Sequence, residues 1–356
     1  MFKTTFRLVQ EFVQNRHASA AVAVIQGQPN VHASCSFGTL SHFPGSALVT
    51  DSTVFDIASL TKVVATTPST LLLVERGLLS LQTRLGSLYP ACPKDKADIT
   101  IEQLLTHTSG LPQVPIYTDV ASVEDAIPHI LHLELQYAPG TQTVYTCLGF
   151  ILLGDIVEKC TGQNLAAFSQ EQIFEPLEMV DTCFNPEDEV KERCAYTEWR
   201  PETRVFAQGR VHDENCFTLG GATGNAGLFS TGGDLAKFST MMIQDGGFGG
   251  KQILQPRTLR LLRRDYTAHL GESRTLGWMM KGVGPCSGGD LIAHGSLGHT
   301  GFTGTSIWLD FELSSFFILL TNRVHPSRNN EGIVEFRRIF HNAAVTELQQ
   351  LYLGAD

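Results

Sequence analysis

The sequence predicts an α+β fold: an antiparallel sheet built from both ends of the chain and flanked by helices, with a mostly helical region inserted between the two contributions. Three observations carry this reading. AAVAVIQ (20–26) and VHASCSFGTL (31–40) are rich in β-branched and small residues, and the turn formers Gly27, Gln28, Pro29 and Asn30 separate them, as in a hairpin. DLIAHGS (290–296), TGTSIWLD (303–310) and SSFFILLTN (314–322) are apolar, turn-bounded runs at the far end, placed to share that sheet. From Ser59 to about residue 285 the pattern is helix and loop. The expected division is therefore a sheet domain from 1–58 plus 286–356 and a helical region over 59–285.

In chain order, MFKTTFRLVQEFVQNRHAS places Phe2, Phe6, Val9 and Val13 on one helical face. It lacks the unbroken apolar core of a signal peptide, so it reads as a helix of the folded body. TIEQLLTHTSGL starts a helix capped by Thr100, LGFILLGDIVEKCTG is a helix stopped by Gly162, and GGDLAKFSTMMIQDGG is a helix with Asp234 near its start. IVEFRRIFHNAAVTELQQL (333–351) closes the chain as a helix with its own apolar stripe.

Composition bounds the function. A chain of 356 residues, 42% hydrophobic and 17% charged, can bury a substantial core and shows no disordered bias. A formal net charge of -10 argues against a nucleic-acid partner, which requires clustered Lys and Arg. No apolar run approaches the ~20 residues that span a bilayer, so no membrane partner is expected. Eight scattered cysteines without a C-x-x-C pair read as free thiols in a reducing compartment, and the expected location is the cytoplasm.

The chemistry is concentrated in FDIASLTKVVATTPSTLLLVE (55–75), where Lys62 is the one charge between Asp56 and Glu75. If a helix begins at Ser59, Lys62 stands one turn later on the same face and the two side chains meet. Apolar surroundings would lower the lysine pKa toward neutrality and free its amine as a general base for the serine hydroxyl. The amide at the helix start could serve as half of an oxyanion hole. An isolated S-x-x-K is more often a helix cap with a snorkelling lysine. APGTQTVYTCLGFILLG (138–154) and GSLGHTGFTGTSIWLD (295–310) supply further ordered stretches, a tyrosine before an apolar helix and a His-Thr-Gly leading into a strand.

With these three stretches the chain resembles the serine β-lactamase and penicillin-binding-protein superfamily, in the branch of class C β-lactamases, D-Ala-D-Ala peptidases and esterases. The likeness runs from roughly residue 15 to 345 and includes LLTHTSGLP (104–112) and GNAGLFSTGGDLAKF (224–238). It implies a β-lactamase/transpeptidase-like fold, Ser59 as nucleophile, Lys62 as its partner base and Tyr145 as a proton shuttle. It also implies an oxyanion hole from the backbone amides of Ser59 and Phe302, with Cys147, His299, Thr300 and Gly301 facing the substrate. Cys147 stands where relatives often carry Asn, and His299 where they carry Lys, which weakens both the amide contact and the positive charge that β-lactam turnover uses.

The resemblance implies a small ester or amide substrate, a cell-wall fragment or β-lactam among the candidates, with no cofactor. VHDENCFTLGG (211–221) and TNRVHPSRNN (321–330) look most like members acting on cell-wall fragments, including muropeptide amidases. His212, Asp213 and Glu214 read as a polar loop lining the cleft, because adjacent residues rarely converge on one ion, and no metal is expected. A non-hydrolysing penicillin-binding sensor would share the serine. An α/β-hydrolase would need G-x-S-x-G, which HGSLG (294–298) lacks, and GGFGGK (246–251) forms no nucleotide loop.

Overall fold

The computed structural model describes residues 1–27, 30–201 and 203–354, so Gln28 and Pro29 of the expected turn lie outside the described residues. The fold is α+β. Its main sheet is six-stranded and antiparallel, in the order Met279–Met280, Leu297–Thr300, Ser306–Asp310, Ser315–Thr321, Ala20–Gly27, Val31–Gly38. The chain ends meet at its middle, where Val22 pairs with Leu320 and Val24 with Ile318.

Burial follows the sequence pattern. Ala20–Gly27 is almost wholly buried because both its faces are covered, so its run of Ala, Val and Ile shows no alternation. Val31–Gly38 lies at the edge; it alternates between partly buried and exposed over 31–34 and is partly buried over 35–38. On one face of the sheet the N-terminal helix Lys3–Gln14 and the C-terminal helix Ile333–Tyr352 pack Val9, Phe12, Phe336 and Phe340 against Phe317 and Leu319. On the other face the helix Gly232–Ile243 joins the larger core shared with the inserted helical region.

Two expectations at the far end shift. The segment 290–296 forms bends and turns, and its strand begins at Leu297. Gly295 adopts φ 81° and reverses the chain there, while Ile292 drops into the apolar layer with Trp308 and Phe317. The sheet also takes the edge strand Met279–Met280, ahead of residue 286.

The inserted region supplies the wall opposite the sheet. Thr100 caps the helix Ile101–Leu105 with a reciprocal capping box to Gln103, and Gly162 ends the helix Leu148–Thr161 in the left-handed conformation. Gly224 lies against that long helix: a Cβ there would fall 1.9 Å from the Phe150 carbonyl oxygen, so only glycine lets residues 224–225 approach the segment that carries Lys62.

Candidate active site

The segment Phe55–Glu75 is helical but not uniformly so. Ala58–Leu60 forms a 3₁₀ turn, Lys62–Thr66 a π turn, and Thr67–Glu75 an α-helix. Pro68 has no amide hydrogen to continue an α ladder, and the wide turn ahead of it absorbs that break. Ala58 sits at φ 48°, a strained value for a residue with a Cβ, held because buried Asp56 accepts the Ala58 amide at 2.8 Å and the His212 amide at 2.6 Å.

This turn brings the first-motif side chains together. Lys62 is fully buried, and its ammonium donates to Ser59 Oγ at 3.1 Å, to the Asn225 carbonyl at 2.8 Å and to Cys147 Sγ at 3.6 Å, using all three hydrogens. Tyr145 Oη donates to Ser59 Oγ at 2.8 Å. The Tyr145 ring packs against His107 at a tilt of 39°, with centroids 4.6 Å apart, and Lys62 Nζ lies 5.1 Å from its centre.

Electrostatics bear on the role expected of Lys62. Burial works to remove the Lys62 proton, but the Cys147 sulfur and the Tyr145 phenol beside it outweigh that and hold the ammonium up, at about 12. The direction of this shift favours the ammonium over the free amine. Burial pushes the Tyr145 phenol up, with the Lys62 ammonium pulling it down, and burial likewise raises the Cys147 thiol.

The third-motif residues form the facing wall. His299 and Thr300 end the strand Leu297–Thr300, and Gly301 opens a tight loop to Thr305. Thr303 Oγ1 donates to the Asp56 carbonyl at 2.7 Å and Thr305 Oγ1 to the Ile57 carbonyl at 3.1 Å, so this loop is tied to the chain just before Ser59. His299 is buried, and burial with the Lys62 and Arg274 charges lowers it to about 3. It is a neutral ring, so the partial charge expected of it is absent.

A cleft of about 460 Å³ joins the two walls, lined by Ser59, Tyr145, His299, Thr300, Gly301 and Phe302 together with Arg274, Arg323 and Arg337. Cys147 lines an adjoining pocket of about 200 Å³ that shares Tyr145 with the cleft. A larger cavity of about 960 Å³, beside Trp199, Phe206 and Arg210, contains none of these residues. Among the described residues, the Phe302 amide has no backbone acceptor.

His212, Asp213 and Glu214 diverge. His212 Nε2 meets Glu198 at 3.0 Å, Asp213 accepts the Cys216 amide at 2.8 Å and Asn225 Nδ2 at 3.1 Å, and Glu214 pairs with Arg328 at 2.5 Å. No three His, Cys, Asp or Glu side chains are grouped as metal ligands among the described residues.

The sequence reading missed the cleft arginines and Asn225. Arg337 had a visible signal: it falls on the apolar stripe of its helix, between Ile333, Phe336, Phe340 and Ala344, where a charge is out of place. Arg274 and Asn225 carry no comparable mark.

A family model described as Beta-lactamase matches residues 6–339, and the chain belongs to that family of serine hydrolases. It is 30% identical over 358 residues to a protein named putative D-alanyl-D-alanine carboxypeptidase from Escherichia coli K12, covering 90% of this chain and 81% of the relative. It is 29% identical over 348 residues to the N-acetylmuramyl-L-alanine amidase of Bacillus subtilis strain 168, covering 86% and 77%. A class C beta-lactamase from Rhodobacter sphaeroides has the same fold, with a TM-score of 0.77 at 16% identity over 97% of this chain and 99% of that one.

Proposed function

We propose that the protein hydrolyses an ester or amide through an acyl intermediate on Ser59. The observation that carries this reading is the position of Ser59 Oγ in the cleft, 2.8 Å from Tyr145 Oη and 3.1 Å from Lys62 Nζ. In the reactive form Tyr145 is the phenolate, stabilised by the Lys62 ammonium. It takes the Ser59 proton as Oγ attacks the substrate carbonyl. The amides of Ser59 and Phe302 receive the developing oxyanion. Tyr145 then returns its proton to the leaving oxygen or nitrogen. Deacylation repeats the sequence with water: Tyr145 takes a water proton, the hydroxide adds to the acyl carbon, and Ser59 leaves reprotonated.

The test is Ser59→Ala against a p-nitrophenyl ester. Loss of turnover is expected, and unchanged turnover would sink the reading. A burst without turnover, with a stable mass adduct on Ser59, would instead identify a sensor that stays acylated.

A second, narrower reading is a cell-wall peptide or muropeptide amide as the natural substrate. The names of the two bacterial relatives support it, as do the guanidinium groups that line the cleft and suit a carboxylate-bearing substrate. A panel of nitrocefin, short esters, D-Ala-D-Ala peptides and N-acetylmuramoyl-L-alanine ranks these bonds, with Ser59→Ala as blank. The eight cysteines are all free thiols, which supports a reducing compartment. No helix among the described residues is long and apolar enough to cross a membrane.

A further inference from the structure

Arg337 and Arg323 are buried, line the catalytic cleft, and take part in no ion pair among the described residues. Their partners are peptide carbonyls. Arg337 Nη2 donates to the Gly301 carbonyl at 2.7 Å and to the Thr305 carbonyl at 2.8 Å. Arg323 Nε donates to the Phe302 carbonyl at 2.8 Å, and its Nη1 to the carbonyls of Arg328 at 2.7 Å and Asn330 at 2.9 Å.

The Gly301 carbonyl and the Phe302 N–H are the two ends of one planar peptide unit. A donor on the oxygen draws density through the amide resonance and strengthens the N–H as a donor, more so when the donor is charged. We infer that Arg337 is a positioning residue for the oxyanion hole, polarising and orienting the Phe302 amide through the Gly301 carbonyl, with Arg323 fixing the far side of the same residue. This rests on the reading of the Phe302 amide as an oxyanion donor.

The charge balance fits such a role. A buried guanidinium kept for stability is ordinarily paired with a carboxylate. Here burial and the nearby Arg323 charge pull Arg337 down to about 9, which leaves it cationic at neutral pH, and its Nε has no partner. Glu198 and Glu331 lie in the field of Arg323, yet burial and Arg328 still pull its pKa down, so the like charges are only partly compensated in the free enzyme. Negative charge developing on the substrate carbonyl oxygen adds to that compensation in the transition state alone.

The test compares Arg337→Gln, which keeps a donor but loses the charge, with Arg337→Lys, which keeps the charge, and with Arg338→Gln at the exposed neighbouring position. The readouts are kcat and KM for a p-nitrophenyl ester and the affinity for phenylboronic acid, which bonds to Ser59 Oγ and sets a boron hydroxyl where the oxyanion forms. Removing a direct oxyanion donor costs about 10²–10³ in kcat, so this indirect loss is expected to be about 30-fold for Arg337→Gln. KM should stay within about threefold, boronate affinity should fall in parallel with kcat, Arg337→Lys should recover most of the loss, and Arg338→Gln should be unchanged.

A folded Arg337→Gln with kcat within about threefold of the parent would overturn the inference, as would a fall in kcat with boronate affinity intact. Should that variant fail to fold, Arg323→Gln is read by the same measures and against the same limits. Activity that survives Ser59→Ala would defeat the acyl-serine reading, whereas silent arginine variants of a Ser59-dependent enzyme would defeat only this inference.

Discussion

The two walls of the cleft obtain their positive charge in opposite ways. On the helical wall, Lys62 stands three residues from Ser59, and a local turn delivers the charge with its hydrogens satisfied by Ser59, Asn225 and Cys147. On the sheet wall, His299 is neutral, and the cations come from Arg274, Arg323 and Arg337, which no short motif links to it. The proposed nucleophile is thus set beside its cation by local sequence, while the charges of the opposite wall are assembled by tertiary packing.

Breaking the helical wall is expected to have the largest effect. Lys62→Met removes the ammonium while keeping an apolar stem, and it should lower kcat/KM for a p-nitrophenyl ester by about 10³-fold or more, since a buried charge beside the nucleophile is lost. A loss below tenfold in a folded variant would show that the phenol needs no cation. The same wall has a pH signature. Because the reactive form is one proton short of the resting pair, kcat/KM should climb from pH 6 to 8.5, and a flat profile would count against a phenolate base.

The sheet wall breaks through its backbone. At Gly301 a Cβ would lie 2.1 Å from Thr305 Oγ1 and 2.4 Å from the Ile57 carbonyl oxygen, so Gly301→Ala must push the loop away from Ser59. A fall of about 10²-fold in kcat is expected, similar to loss of one oxyanion donor. A folded variant with near-parental kcat would dissociate this loop from the oxyanion.

A stability measurement sharpens the contrast. His299 and His341 are lowered to about 3 and His107 well below its ordinary value, each first by burial. Their folded pKa lies below the unfolded one, so below about pH 6.5 the unfolded chain binds the extra protons and stability falls as pH falls, by about 1.4 kcal/mol per unit for each histidine. Denaturant midpoints at pH 7 and 5 check this, and equal midpoints would refute it.

The smallest effect belongs to Cys147→Asn. An amide carbonyl accepts the Lys62 hydrogen better than sulfur does. Ester turnover should stay within about threefold, with nitrocefin acylation rising. A fall in both would mark the thiol as more than a packing group.

What the sequence disclosed follows the same division. Ser59 and Lys62 were legible because one helical turn links them, and the sheet because Ala20–Gly27 and Ser315–Thr321 are continuous apolar runs. The charge state of Lys62 was not, since it depends on Tyr145 and Cys147 arriving from a distant helix start. Nor was the neutrality of His299, which burial imposes. Segment 290–296 misled because its apolar residues serve a bend that plugs the core rather than a ladder.

The pairing of Val22 with Leu320 has a consequence for synthesis. The strand Ser315–Thr321 leaves the ribosome long after Ser59, on the order of tens of seconds later at about 5–20 residues per second. Until it arrives the hairpin at 20–38 lacks its central neighbour, and the loop at 301–305 has no sheet to hold it against Asp56 and Ile57. A nascent chain would therefore carry Ser59 without its facing wall, and an acylating probe is expected to label only chains in which that strand has emerged and paired.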